Sequence, residues 1–136
     1  MKVLIDTNIV LDVMLKREPW LADSQRIWQA CDDGRLQGYI VASTLTDIYY
    51  IARKMVGREV ALAGVEVCLI TFVIAPIDRT VVERAIQLVG RDFEDNIQIA
   101  VALQTNVDAI VTRNPNHFLN AVIPVLTPQT LLAQFS

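Results

Sequence analysis

Val3-Leu4-Ile5-Asp6-Thr7-Asn8-Ile9-Val10 is the stretch that decides the fold of this chain. Lys2 to Ile5 is a short β-branched and apolar run that ends abruptly at Asp6-Thr7-Asn8. Ile9, Val10, Val13 and Met14 then recur at helical spacing. The stretch predicts a strand handing over to a helix at Asp6, with Thr7 or Asn8 available as the cap. A carboxylate at the end of a buried strand gains nothing from packing, so something must compensate it.

The same step recurs downstream. Gly38 to Ala42 reads as a second buried strand, followed by Ser43-Thr44-Leu45-Thr46-Asp47, with Ser43 or Thr44 capping a helix that ends by Gly57. Asp92-Phe93-Glu94-Asp95 leads into a helix whose buried side carries Ile97, Ala100, Val101 and Leu103. Ile110-Val111-Thr112-Arg113-Asn114 repeats the strand and polar turn. Between these, Pro19 opens a helix stopped at Gly34, and Glu59 to Ile70 and Arg79 to Val89 read as helices. Short strands are expected at Thr71 to Ala75, Ala109 to Val111 and Ile123 to Leu126, before a last helix over Gln129 to Gln134. Steady alternation of strand and helix predicts an α/β fold: one domain over residues 1–136, with a parallel sheet of four or five strands covered by helices on both faces.

Composition narrows the function classes. The apolar share of 53% suits a buried parallel sheet, yet no apolar run approaches the ~20 residues of a membrane helix. Cys31 and Cys68 lack metal-ligand spacing and read as inert thiols, which suits a reducing cytoplasm. The chain runs from Met-Lys straight into a strand, so no signal peptide is expected. A net charge of −3 argues against broad, charge-driven nucleic-acid binding. It does not exclude a nuclease, because a metal site is itself negative; Arg53, Lys54 and Arg58, and Lys16 with Arg17, read as helix C-termini favoured by the macrodipole.

In a parallel sheet the strand ends before Asp6, Ser43 and Asn114 open onto one edge, where open α/β folds place their sites. Asp47 lies a turn inside its helix with its side chain tilted back toward that edge. Asp92 and Asp95 have capping-box spacing, with Asp92 as the cap and Asp95 free to act as a ligand. Gathered carboxylates repel unless a cation neutralises them, and oxygen-only donors favour Mg²⁺ or Mn²⁺ over zinc. Each residue also has a plainer reading. Asp6 can be a cap, Asp47 a solvated helix position, Asn114 a turn residue and His117 a loop histidine; Asp12 and Asp23 read as exposed helix faces.

The opening Lys2-Val3-Leu4-Ile5-Asp6-Thr7-Asn8-Ile9-Val10-Leu11-Asp12 resembles the start of PIN domains, the fold of the toxin nucleases of VapBC toxin–antitoxin pairs. Thr44-Leu45-Thr46-Asp47-Ile48-Tyr49-Tyr50, Asp92-Phe93-Glu94-Asp95-Asn96-Ile97-Gln98 and Val111-Thr112-Arg113-Asn114-Pro115-Asn116-His117-Phe118 resemble the later motifs of one PIN subgroup, and Thr127-Pro128 its final helix. The resemblance implies a Mg²⁺- or Mn²⁺-dependent ribonuclease with catalytic Asp6, Asp47 and Asp95. Its metal would be held by these three, with Asp92 a further candidate. Thr7, Asn8, Thr112 and Asn114 would bind waters, carboxylates or phosphate. It also implies an RNA substrate, a small antitoxin partner and a homodimer, for which Trp20, Trp28, Tyr49 and Tyr50 are candidate interface aromatics. Two departures stand out: the second acid is Asp where the family usually has Glu, and the fourth acidic position falls on neutral Asn114. One ion is therefore expected to bind tightly and a second only weakly or with substrate. The alternative is a PIN-like module that has lost nuclease activity and binds RNA or protein as a scaffold.

Overall fold

The computed structural model describes residues 1–90 and 92–134. Five strands form one sheet: β1 (Lys2–Ile5), β2 (Gln37–Val41), β3 (Val73–Ala75), β4 (Ala109–Val111) and β5 (Val125–Leu126). Their order is β3-β2-β1-β4-β5 and every pairing is parallel. β1 is central, with Val3 opposite Gly38 on one side and Leu4 opposite Ile110 on the other.

Period-two alternation along β1 sends its side chains to two cores. Val3 and Ile5 pack with α1 (Thr7–Met14), α2 (Leu21–Asp32), α3 (Ala42–Val56) and α4 (Arg58–Thr71) through Ile9, Ile27, Ile48 and Cys68. Leu4 faces the opposite layer, where α5 (Arg79–Gln87) and α6 (Phe93–Thr105) contribute Val81, Ala85, Ile97 and Ala100. A strand buried on both faces has to be apolar at every position, which is why β1 beyond its exposed Lys2, and β4 throughout, read as unbroken apolar runs. After β4 come a 3₁₀ turn, η1 (Pro115–Phe118), then β5 and the short α7 (Pro128–Leu132).

Two glycines shape the chain locally. A Cβ on Gly38 would sit 2.6 Å from Cys31 Sγ and 2.9 Å from Phe72 Cδ1, so β2 can lie against α2 only without one. Gly57 at φ +89° turns α3 directly into α4, a conformation that costs glycine little. Cys31 and Cys68 are buried, and burial pushes both thiols up to about 12. They are therefore inert at neutral pH. No helix among the described residues is long and apolar enough to cross a membrane.

The element boundaries correct the sequence reading in several places. α1 begins at Thr7, so neither Thr7 nor Asn8 is its cap; Asp6 takes that position without a side-chain capping bond. α3 begins at Ala42 behind an extended Val41, so Ser43 and Thr44 lie inside its first turn. Thr44 instead meets Thr7, Oγ1 to Oγ1 at 3.2 Å. Thr71 remains in α4, whose last turn is closed by the Phe72 amide on Cys68 O at 2.9 Å. α5 stops at Gln87, because Leu88 is already extended. Asp12, expected on an exposed face, is fully buried.

Candidate metal and nucleic-acid site

Asp6 follows β1 and Thr112 follows β4, the two strands between which the sheet's winding reverses. The crevice at such a reversal is where ligands of open α/β sheets bind. Asp6 is 6% exposed and held on both oxygens: Gln98 Nε2 donates to Oδ1 at 3.2 Å and Thr112 Oγ1 to Oδ2 at 2.8 Å. Its side chain is therefore spent on α6 and β4 rather than on capping α1. Thr112 Oγ1 also accepts from the Asn114 amide at 3.0 Å, which fixes the start of the following loop.

Above Asp6 lies a cavity of about 400 Å³ lined by Thr7, Asn8, Asp47, Glu94, Asp95 and His117, among others. α1 supplies Thr7 and Asn8, α3 supplies Asp47 and Tyr50, α6 supplies Glu94, Asp95 and Gln98, and η1 supplies His117. Three acids singled out from the sequence, Asp6, Asp47 and Asp95, thus share one wall. Thr112 is buried behind Asp6. Asn114 is half-buried beside the site and does not line the cavity. Asp92 caps α6, its Oδ1 accepting from the Asp95 amide at 3.1 Å, and faces an adjoining hollow with Asn116 and Asn120.

Three wall residues carried no assignment from the sequence. Glu94 lies within hydrogen-bonding reach of Asp47; sharing that proton, then burial, then the charges of Asp47, Asp92 and Asp95 push its carboxyl up to about 7. His117, read as a loop histidine, stands over Asp95. Burial raises the Asp95 carboxyl, Asp92 raises it further, His117 opposes the shift and Asp6 adds to it. Gln98 was visible in principle, since it follows Asp95 by three residues and so shares its helix face.

A proton retained on Glu94 in the folded chain but released by the unfolded one makes stability pH-dependent. The native state binds more protons across this interval, so stability falls as pH rises from 4.5, the ordinary value, to about 7. The metal-free protein is therefore expected to lose more melting temperature over this range than Glu94→Gln does. Parallel melting-temperature profiles of the two proteins would remove Glu94 as the source of the effect.

The donors suit a hard cation. Four carboxylates line the wall, and no cysteine joins them. Among the described residues, no three Asp, Glu, His or Cys side chains already converge as a cage for an ion. The carboxylate oxygens of the wall suit Mg²⁺ or Mn²⁺, which are held by one or two carboxylates and keep several waters. Gln98 supplies a second sign: it is 6% exposed, and its Oε1 is buried without a partner. An orphaned buried acceptor calls for a missing donor, and an ion's water is one such donor.

A family model described as a PIN domain matches residues 2–116. The chain belongs to the PIN-domain family. Among solved structures, this PIN domain is similar to the DNA-bound VapBC of Salmonella typhimurium, with 20% identity over 94% of this chain and 98% of that one and a TM-score of 0.71. A toxin–antitoxin complex from Klebsiella pneumoniae gives 23% identity, 93% and 97% coverage and a TM-score of 0.70. VapC20 of Mycobacterium tuberculosis, a Sarcin-Ricin loop cleaving toxin, gives 12% identity, 79% and 86% coverage and 0.66. Identities this low establish the shared fold. No curated protein sequence matches the chain.

Proposed function

We propose that this PIN domain is a divalent-metal-dependent ribonuclease and the toxin of a VapBC-type pair. The observation that supports it most is the meeting of Asp6, Asp47 and Asp95 on one cavity wall at the sheet's carboxyl edge. A bound Mg²⁺ or Mn²⁺ would polarise the scissile phosphate and make a water acidic enough to attack it. Asp6 and Asp95 would hold the ion, with Asp47 approaching from α3 either directly or through water. Gln98 and Thr112 keep the Asp6 carboxylate in one orientation, so no reorganisation is needed when the ion arrives. Thr7 and Asn8, at the N-terminal turn of α1, face the cavity where a phosphate would be favoured by the helix dipole.

The test is cleavage of structured and single-stranded RNA with Mn²⁺, with Mg²⁺ and after chelation. Mn²⁺ near a hundred times its Kd should also stabilise the fold by about 2.7 kcal/mol if it binds only the native state. Absence of both cleavage and stabilisation would leave the scaffold reading in place.

Tyr50 is 54% exposed at the cavity's rim, with Arg53 5.9 Å from its ring centre. An exposed ring backed by a guanidinium beside a phosphodiesterase site is suited to stacking on a base. Tyr50→Ala should weaken RNA binding by roughly 1–3 kcal/mol, about 5- to 150-fold in KM, with kcat little changed. A change in kcat alone would remove Tyr50 from substrate binding.

The reading also carries partners. Met55, Val60, Leu69 and Ile70 on α3 and α4 are all more than half exposed, a surplus of apolar surface suited to a second copy of the chain or to an antitoxin. Light scattering at tens of micromolar should show a dimer, and a monomer would remove the homodimer from the proposal.

A further inference from the structure

We propose that Arg17 and Asn8 form a subsite for an RNA phosphate flanking the scissile one, so that the strand enters the acidic cavity past a guanidinium. The inference rests on the reading of this protein as a metal-dependent ribonuclease, and it names one contact by which the substrate would be held.

The charge of the wall sets the problem. Asp6, Asp47, Glu94 and Asp95 line the cavity, and no lysine or arginine joins them among the described residues. A metal ion serves the phosphate being cleaved. The phosphates on either side carry a charge each and find no such cation on that wall, in a chain whose net charge is −3.

Arg17 supplies a cation beside Asn8, and the end of α1 is built to put it there. The Lys16 amide donates to Val13 O at 3.4 Å and the Arg17 amide to Asp12 O at 3.0 Å, with Lys16 in the left-handed region at φ +53°. These two bonds close a helix end at a position usually given to glycine. Arg17 therefore does not run on past the C-terminus of α1, where the macrodipole alone would favour a cation. Its side chain returns to the helix's N-terminal turn, where Nη1 donates to Asn8 Oδ1 at 3.3 Å. Asn8 lines the cavity, and with its oxygen engaged its Nδ2 is left to donate to a ligand.

The charge of Arg17 is also left over. Arg17 and Arg113 face a single carboxylate, that of Asp12. Arg113 takes it at 2.9 and 3.1 Å, with its own side chain only 14% exposed and its guanidinium over the Trp20 ring. Arg17 comes no nearer to it than 4.0 Å and keeps 30% of its side chain exposed. Among the described residues, no other carboxylate lies within that distance of Arg17. A half-buried guanidinium with N–H donors to spare and no close counter-ion suits a phosphate, whose oxygens match its fork.

The test is RNA cleavage by the full chain with Mn²⁺, at monovalent salt from about 50 to about 200 mM, where phosphate contacts show in the salt dependence. Wild type is compared with Arg17→Gln and Arg17→Met, two neutral variants, and with Arg17→Lys; thermal melts establish that each folds. In the neutral variants KM should rise about tenfold, the loss of one charge-assisted hydrogen bond. Their kcat should change little, because a flanking phosphate is bound alike in the ground state and the transition state. The slope of log KM against log salt should fall by about 0.7, the share of one phosphate contact on a single strand. Arg17→Lys keeps the charge and should keep the slope. Unchanged KM and slope in the neutral variants, beside a wild type that cleaves RNA, would overturn the subsite and leave the nuclease reading standing. A raised KM with an unchanged slope would make Arg17 a support for Asn8 alone and overturn the subsite as well. A wild type that cleaves no RNA would overturn the nuclease reading, together with the inference built on it.

Discussion

Asp6→Asn is expected to lower RNA cleavage by at least about a thousandfold, the consequence of removing several kcal/mol of metal-borne charge stabilisation at ~1.4 kcal/mol per decade. The fold should survive. An asparagine at this position can still accept from Gln98 through Oδ1 and donate to Thr112 Oγ1, so both buried neighbours keep a partner. Removing one of four clustered negative charges also relieves repulsion in the metal-free state, so the apo melting temperature should match or exceed that of the wild type. Asp6→Ala is the contrasting case. It strips partners from a 6% exposed glutamine and a fully buried threonine, and each unpaired buried group costs about 1–3 kcal/mol. The alanine variant should therefore be inactive and destabilised, and the asparagine variant inactive and stable. Cleavage by Asp6→Asn near the wild-type rate would remove Asp6 from the chemistry. An apo melting point well below wild type would instead make Asp6 a structural residue.

What could be read from the sequence follows the range of the forces involved. β1 and its turn were legible because burial on both faces forces an apolar run, and a carboxylate marks its end. Asp92 as the cap of α6 was legible because capping is local, set by a three-residue spacing. The parallel sheet followed from alternation alone, although which strand lay beside which did not. Glu94 was not legible as a neighbour of Asp47, because their meeting depends on how α6 lies against α3 rather than on spacing in either. His117 was missed for a similar reason: the 3₁₀ turn at Pro115–Phe118 swings it over Asp95, and nothing in Asn114-Pro115-Asn116-His117 fixes that direction. Ser43 and Thr44 were read as caps because capping is what their side chains do most often, yet Thr44 is engaged by Thr7 across the site.

Asp12 shows the same limit most sharply and sets the second large expected effect. Helical periodicity placed it outward, but a guanidinium 101 residues away draws it in: Arg113 Nη2 donates to Oδ1 at 3.1 Å, and Arg113 Nε lies 2.9 Å from Oδ2 as an unaligned ion-pair contact. Ser24 Oγ also donates to Oδ2, at 3.1 Å, and the Arg113 guanidinium lies 3.8 Å from the centre of the Trp20 ring. Burial nevertheless pushes the Asp12 carboxyl up by more than Arg113, Ser24 and Arg17 together lower it, so the ionised carboxylate is held at a net cost. Such a pair is expensive to break and inexpensive to replace. Arg113→Met should cost about 3–5 kcal/mol by taking the nearer cation from a fully buried carboxylate and leaving it only Ser24 and the more distant Arg17, 4.0 Å away, which at roughly 3–5 °C per kcal/mol lowers the melting point by about 10–25 °C. Asp12→Leu should lose a similar amount through the stranded guanidinium. The double variant should return to within about 1 kcal/mol of wild type, because both charges leave together. Acidification should narrow the gap between Arg113→Met and wild type, since a protonated Asp12 no longer needs its partner. Additive losses in the double variant would mean that the two residues act separately. Arg113 sits between Thr112, which holds Asp6, and Asn114, so a stable double variant with reduced cleavage would locate the pair's value in positioning that loop rather than in folding.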